Sequence, residues 1–391
     1  MHDKSDVNLS KRLRIFMVSS HERDPNAGAA GADIRLAKAL RDRGHEVDLF
    51  FYEDVFLSKN IYGYWRQLLF PWAVARFFRK RHLEKPYDIV DCTAGNLWVI
   101  EKLLSLARYR IRPLLCVHSH LLEHFDTDLE KKAATLEGKK LSWKFRLYHA
   151  GYRLWEVVRD FKIADVVFVL NSQKRAYLVK EFDLPEEKLY VIPNGVGDHF
   201  IKKINGDNFN AEKLFRLLFI GGWTARKGIK ILSQIVEVLF SFDERFRLTC
   251  AGVIESKEGV LRLFPKRFWG RIEVIPRFEN KDLPGMMSHH GVFIFPSLLE
   301  SFALSMLEAM VAGLIVVSTP VGAAPEVIIS GKNGFLVPFN EAEAFIKTIK
   351  FIVAQGSLMK EISDNAKAAG MKFTWPNAAR IREAIYINNL S

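Results

Sequence analysis

The stretch "GVFIFPSLLESFALSMLEAMVAGLIVVS", residues 291–318, decides how this chain is read. A short apolar run, GVFIFP (291–296), leads through a turn into the helix-forming composition of SFALSMLEAM. A second β-branched run, LIVVS (314–318), follows. Strand, helix, strand in so short a span is the repeating unit of a parallel sheet. Both runs are almost continuously apolar, so each strand is expected to be covered on both faces.

The same alternation extends in both directions. Strands are expected at 13–19, 46–52, 88–92, 113–118, 165–170 and 189–192, then at 214–221, 246–251, 271–275, 291–296, 314–318 and 335–337. Between the two series lies KKINGDNFNAEK (202–213), polar and carrying Asn-Gly, which reads as a linker. The fold class is therefore α/β, with two Rossmann-like, doubly wound domains facing across a cleft. Ligands of such sheets bind outside the carboxyl ends of the strands.

Composition narrows the function. With 391 residues and 49% hydrophobic content, the chain can build real cores and is not a disordered protein. The three cysteines, Cys92, Cys116 and Cys250, are far apart and each lies in or beside an apolar run. That is neither a disulfide framework nor a metal-ligand spacing, and it suits a reducing compartment. The first apolar run, LRIFMV, is short and reads as a strand rather than a secretory signal, so a cytoplasmic location is expected. No run is long enough to span a membrane. The net charge of +12 would favour a phosphorylated ligand, an anionic lipid surface or nucleic acid.

Glu300 and Glu308 are the only charges in LESFALSMLEA (299–309). With Ser301 as the expected N-cap, the helix beyond it starts where a strand ends. Such a terminus binds anions, because its first N–H groups lack partners. The amides of Phe302, Ala303 and Leu304 would hold a phosphate. Carboxylates would be repelled by it and suit sugar hydroxyls instead. The plain alternative is a solvated turn residue and a helix-surface charge. In FIGGWTARKGI (219–229), Arg226 and Lys227 place positive charge at another strand-to-helix turn. They would stabilise a leaving diphosphate, or form an ordinary basic turn.

The segment 300–338 resembles the donor site of the retaining glycosyltransferases of family 4, which have the GT-B architecture. The resemblance rests on Glu300, Glu308, Ala309, Gly313, Gly322, Glu326, Asn333, Gly334 and Val337 in order. It implies that Glu300 contacts the donor sugar and Glu308 the nucleotide ribose. In the 219–229 loop, Gly222 stands where family members often carry an arginine, Arg226 substitutes for it, and Lys227 aligns. His118, at the end of LLCVHSHLLEH (114–124), matches a histidine that lies against the donor sugar. His120 and His124 follow it, but no Cys or Asp stands at ligand spacing in that window, so no metal site is expected. The loop 24–47 lacks a dinucleotide fingerprint and resembles the family's first loop, with Gly28 and Gly31 approaching the donor. His289 and His290 read as surface residues of a helix end.

The resemblance divides the chain into an acceptor-binding domain (1–201), the linker (202–213), a nucleotide-sugar-binding domain (214–370) and a C-terminal helix crossing back (371–391). It implies metal-independent, front-face transfer from a nucleotide-sugar donor to a glycan or lipid-linked acceptor, with no cofactor and no Asp-x-Asp to hold a metal. Rival readings are a sugar-nucleotide epimerase of the same fold or a basic nucleic-acid binder. Against the binder, the basic residues outside 64–85 are dispersed and no nucleic-acid module is recognised. Within 55–85, the basic residues Lys59, Arg66, Arg76, Arg79, Lys80, Arg81 and Lys85 accompany the single acid Glu84. Tyr62, Tyr64, Trp65, Phe70, Trp72, Phe77 and Phe78 lie among them, and Pro71 is expected to divide two helices. This segment either docks on an anionic membrane, placing the enzyme peripherally on its inner face, or packs its aromatics as core.

Overall fold

The computed structural model describes residues 11–26, 28–55, 64–106, 111–120, 124, 151–204 and 209–390. Each run read as a strand is one. β1 (Arg14–Val18), β2 (Glu46–Phe50), β3 (Ile89–Thr93), β4 (Leu114–His118), β5 (Val166–Val169) and β6 (Leu189–Val191) form one six-stranded sheet. β7 (Arg216–Ile220), β8 (Arg247–Ala251), β9 (Ile272–Ile275), β10 (Val292–Phe295), β11 (Ile315–Ser318) and β12 (Phe335–Leu336) form the other. The named pairings are all parallel.

The orders are β2-β1-β3-β4-β5-β6 and β9-β8-β7-β10-β11-β12. In each sheet the direction of winding reverses once, between β1 and β3 and between β7 and β10. Loops leaving the two strands at such a point diverge to opposite faces and leave a ligand-sized gap. The sequence fits these positions: β3, β4, β5 and β10 are buried throughout. Asp91, inside β3, is the one carboxylate among these four strands and is fully buried.

Two compact units result. One runs to Ile192 and resumes at Ala379; the other is Pro193–Ala378. The break thus precedes the polar 202–213 stretch. The Val196 amide donates to the Phe373 carbonyl at 2.9 Å, and the Lys203 ammonium to the Lys281 carbonyl at 2.9 Å, so 193–204 packs with the second unit. Gly195 is required there, because a Cβ would lie 2.3 Å from the Trp375 nitrogen. Residues 205–208 of the stretch lie outside the described residues.

In the first unit, Phe16 meets Phe50, Phe78 and Tyr87 with ring centroids 4.9, 5.3 and 5.1 Å apart. Phe78 comes from the helix Tyr64–Glu84, which is continuous through Pro71 rather than divided there. Proline removes one donor, but Phe70, Val74 and Phe78, on one face, are buried in the core and hold the helix together. Truncating Phe78 to Ala would cost about 3–5 kcal/mol. Trp65, Leu69, Trp72 and Leu83 are exposed on the same helix, as are Arg76, Arg79 and Lys80. The aromatics of 55–85 are therefore partly core and partly surface. Lys59 and Tyr62 lie outside the described residues.

Candidate functional site

In the second unit three loops meet beyond the strand ends. The first follows β7. Gly221 there has φ +149, and a Cβ on it would sit 3.1 Å from the Lys227 side chain, so glycine leaves the path for that lysine. Gly222 has nothing near its Cβ position. Gly228, with φ +71, lets the loop turn against Pro296, whose carbonyl oxygen would be 2.0 Å from a Cβ. Leucine 298 of the second loop, after β10, donates its amide to the Arg226 carbonyl at 2.8 Å.

These contacts bring Lys227 and Glu300 together from 73 residues apart, with Nζ donating to Oε1 at 2.6 Å. The side chains are only 15% and 10% exposed. Glu300 is thus no solvated turn residue, and its first partner is a lysine. Arg226 is exposed at the rim of the same loop.

The third loop, after β11, lies against the second. Gly322, with φ +58, places its Cβ position 3.1 Å from the Phe302 carbonyl and 3.2 Å from the Glu300 Cβ. The Ala323 amide donates to the Phe302 carbonyl at 3.2 Å. The helix beyond is Leu304–Val311, and its N-cap is Ala303, not Ser301. Ala303 has φ +73 and ψ +58, and no side chain caps the helix. An alanine in the left-handed region is strained by roughly 1–2 kcal/mol, a cost typical of functional turns. Phe302 and Ala303 are buried, and Glu308 is half-buried on the helix. The arrangement offers backbone N–H groups, one ammonium and one carboxylate to a ligand that is part anion and part hydroxyl.

The first unit places His118 at the end of β4, only 5% exposed. Its Nδ1 lies 2.6 Å from Asp91 Oδ1 and its Nε2 3.2 Å from Asp33 Oδ1. His120 Nε2 lies 2.7 Å from the same Asp33 oxygen. The helix Trp375–Asn389 supplies Arg382, bonded to Asp91 Oδ2 at 2.5 and 2.9 Å, and the Tyr386 hydroxyl, which donates to the same oxygen. Burial disfavours the charged imidazole of His118, but Asp91 and Asp33 outweigh it and push it up to about 9. Burial likewise opposes ionisation of Asp91, yet Arg382 and His118 hold it down to about 2.

The aspartate that the 114–124 window lacks is supplied from outside it, by Asp33. Asp33, His118 and His120 bring ligand atoms within 4.8 Å of one another, so an aspartate partner that local spacing does not offer is present in space. His124 packs elsewhere, 4.8 Å from the Phe182 ring. Gly31 is buried inside the helix Gly28–Asp42, where a Cβ would lie 2.6 Å from the Pro25 carbonyl oxygen. In the second unit, His290 is no plain surface residue, since its Nε2 lies 2.9 Å from the Thr249 hydroxyl.

Sequence reasoning missed Asp33, Asp91, Arg382 and Tyr386. A signal existed for Asp91, a charge inside an apolar strand, which demands a partner. Arg382 and Tyr386 are four apart on one helix face, but nothing local connects them to position 91.

Comparison with known proteins places this geometry. The family model "Glycosyl transferases group 1" matches residues 200–369, and "Glycosyltransferase Family 4" matches residues 34–199. An uncharacterized glycosyltransferase of Methanocaldococcus jannaschii is 26% identical over 190 residues, 49% of this chain and 51% of that protein. The O-antigen chain mannosyltransferase B of Escherichia coli is 24% identical over 223 residues, covering 55% and 58%. The chain thus spans just over half the length of these curated relatives. Sucrose-phosphate synthase from Thermosynechococcus elongatus superposes with a TM-score of 0.76 at 20% identity, covering 96% of this chain and 99% of that one, a likeness of fold. With both family models matched in sequence and the GT-B architecture shared, this chain belongs to the group 1, family 4 glycosyltransferases.

Proposed function

We propose that the chain is a retaining glycosyltransferase that moves a sugar from a nucleotide-sugar donor to a hydroxyl of a glycan or lipid-linked acceptor, in envelope or polysaccharide synthesis. The observation that carries this reading is the Lys227–Glu300 pair beside the uncapped start of the helix Leu304–Val311. In the proposed reaction the bond from the anomeric carbon to the diphosphate oxygen breaks. The acceptor oxygen bonds to that carbon on the same face, and its proton passes to the departing diphosphate. Lys227, Arg226 and the amides of Phe302, Ala303 and Leu304 stabilise that diphosphate. Gly222 leaves room for its approach. Glu300 orients Lys227 and accepts from a sugar hydroxyl, and Glu308 accepts from the ribose. The name of the E. coli relative supports a polysaccharide setting.

The test is a panel of UDP-, GDP- and ADP-sugars with membrane-derived acceptor, reading acceptor-dependent release of nucleoside diphosphate and the product anomer by NMR. Release with retained configuration supports the reading. Inverted configuration, or no release with any donor, overturns it.

The acceptor is proposed to lie at an anionic membrane. Trp65, Leu69 and Trp72, then Arg76, Arg79 and Lys80, follow one another along the exposed side of the helix Tyr64–Glu84. Trp72 joins Trp98, and Trp98 joins the half-exposed Trp155, each pair with centroids 5.5 Å apart. Among the described residues no helix is long and apolar enough to cross a membrane, so attachment would be interfacial. Each basic residue near such a surface contributes about 1 kcal/mol. Phosphatidylglycerol vesicles should sediment the protein at low salt, and glutamine at Arg76, Arg79 and Lys80 should release it. Sedimentation unchanged by those substitutions would remove the membrane from the proposal.

A further inference from the structure

The first unit brings two imidazoles and a carboxylate together as a set of metal-ligating groups. Asp33 comes from the helix Gly28–Asp42, His118 from the end of β4 and His120 from just beyond it. Their ligand atoms all lie within 4.8 Å of one another. Asp33 is 1% exposed, and among the described residues its Oδ2 is buried without a hydrogen bond. The same holds for His118 Nε2, whose 3.2 Å approach to Asp33 is an ion-pair distance rather than an aligned bond. A buried carboxylate oxygen without a hydrogen bond, beside this donor set, calls for a partner.

Two of the three donor separations are close to those of a metal site. Nitrogen and oxygen ligands of zinc sit about 2.0–2.2 Å from the ion, which puts tetrahedral donors roughly 3.3 Å apart. The 3.2 Å between His118 Nε2 and Asp33 Oδ1 already matches. The 2.7 Å between His120 Nε2 and that oxygen would have to open by about half an ångström on the same geometry. The outer contacts suit as well. A ligating histidine usually gives its other ring nitrogen to a carboxylate, as His118 Nδ1 does to Asp91. Arg382 and Tyr386 fix Asp91 in turn, so the ring orientation is set in advance.

We propose that Asp33, His118 and His120 form a binding site for a divalent transition-metal ion of the zinc type, with three protein ligands and the remaining position open. Two imidazoles with one carboxylate select zinc, cobalt or nickel over magnesium or calcium. The Lys174 ammonium, 3.2 Å from the His120 carbonyl oxygen, opposes the ion and keeps its affinity moderate. An ion here holds His118 on its own coordination sphere, so it acts as an inhibitor of any reaction in which His118 takes part, not as a cofactor.

The experiment uses the untagged full chain, stripped with EDTA and titrated with zinc chloride and, separately, cobalt chloride by calorimetry and visible absorption. One equivalent should bind in the micromolar range, and bound cobalt should show the absorption of a low-symmetry nitrogen–oxygen site. His120→Gln and Asp33→Asn should each weaken binding by roughly 100-fold, since both remove a direct ligand. His120 lies at a half-buried loop position, so His120→Gln remains informative if Asp33→Asn fails to fold. No binding up to millimolar zinc, or full binding by His120→Gln, overturns the site. Because the readout is binding, it stands apart from whether sugar transfer is found.

Discussion

Two helix N-termini show how the units differ. In the first, the amides of Gly95, Asn96, Leu97 and Trp98, at the start of the helix Trp98–Leu106, all donate to the Asp160 carboxylate at 2.6–2.8 Å. That terminus is an anion site already filled by the chain's own anion. In the second, the helix Leu304–Val311 has no side-chain cap and is preceded by a strained alanine. The same contrast holds for cations. Arg382 is buried against Asp91, whereas the Lys227–Glu300 pair joins two loops and keeps 15% and 10% of its side-chain surface exposed. Backbone dipoles and charges stabilise the fold where the chain closes them internally, and are available to a ligand where it does not.

The comparison breaks first at Arg382. Removing it by Arg382→Ala strands the Asp91 carboxylate in the core, at a cost of about 3–5 kcal/mol. Hydrogen exchange should show the loss in β3 and β4 amides and leave β10 and β11 unchanged. Loss below 1 kcal/mol would mean that Tyr386 and His118 suffice for Asp91 and that the arginine is dispensable.

Lys227→Ala tests the other side. It should leave thermal stability nearly unchanged and lower turnover by about 10²-fold, the scale of losing one charge-stabilising donor. Glu300→Ala should reduce kcat as well, and the double variant should lose less than the sum, because the two side chains act as one unit. Strict additivity would show that the 2.6 Å pair is incidental.

Smaller effects sharpen the division between the glutamates. Glu308→Ala should weaken nucleoside diphosphate binding by about tenfold, as expected for losing a charged hydrogen bond. Glu300→Ala should leave that affinity in place, since the contact proposed for it is with the sugar. Calorimetry that finds equal losses would merge the two roles. The smallest change is Ala303→Gly, which removes the left-handed strain and should raise stability by about 0.5–1 kcal/mol. Lower stability there would mean that the alanine methyl packs better than its backbone suffers.

The positions of the strands were legible because burial on both faces writes itself into consecutive residues. LLCVH and VFIF are apolar throughout and too short for a helix, which makes covered strands the natural reading. The Lys227–Glu300 region was legible in part, since each residue lies next to a strand end that composition already marks. Their pairing was not, and neither was the cap. Ser301 has the usual capping chemistry, but the close approach of the Gly322 loop to Phe302 goes with a turn two residues later, at Ala303. Pro71 misled for a similar reason, since local propensity argued for a break that core packing overrode.

By itself, then, the sequence determined the alternation of covered strands and helices, the two sheets, and the identity of the loops that carry charge. These follow from hydrophobic period and turn chemistry, which act over a few residues. Tertiary structure alone decided which charges meet. Asp33, Asp91, His118 and Arg382 lie far apart along the chain and join in one buried cluster. A buried charge must find its counter-charge in space, and nothing in local spacing records from which strand or helix that partner comes.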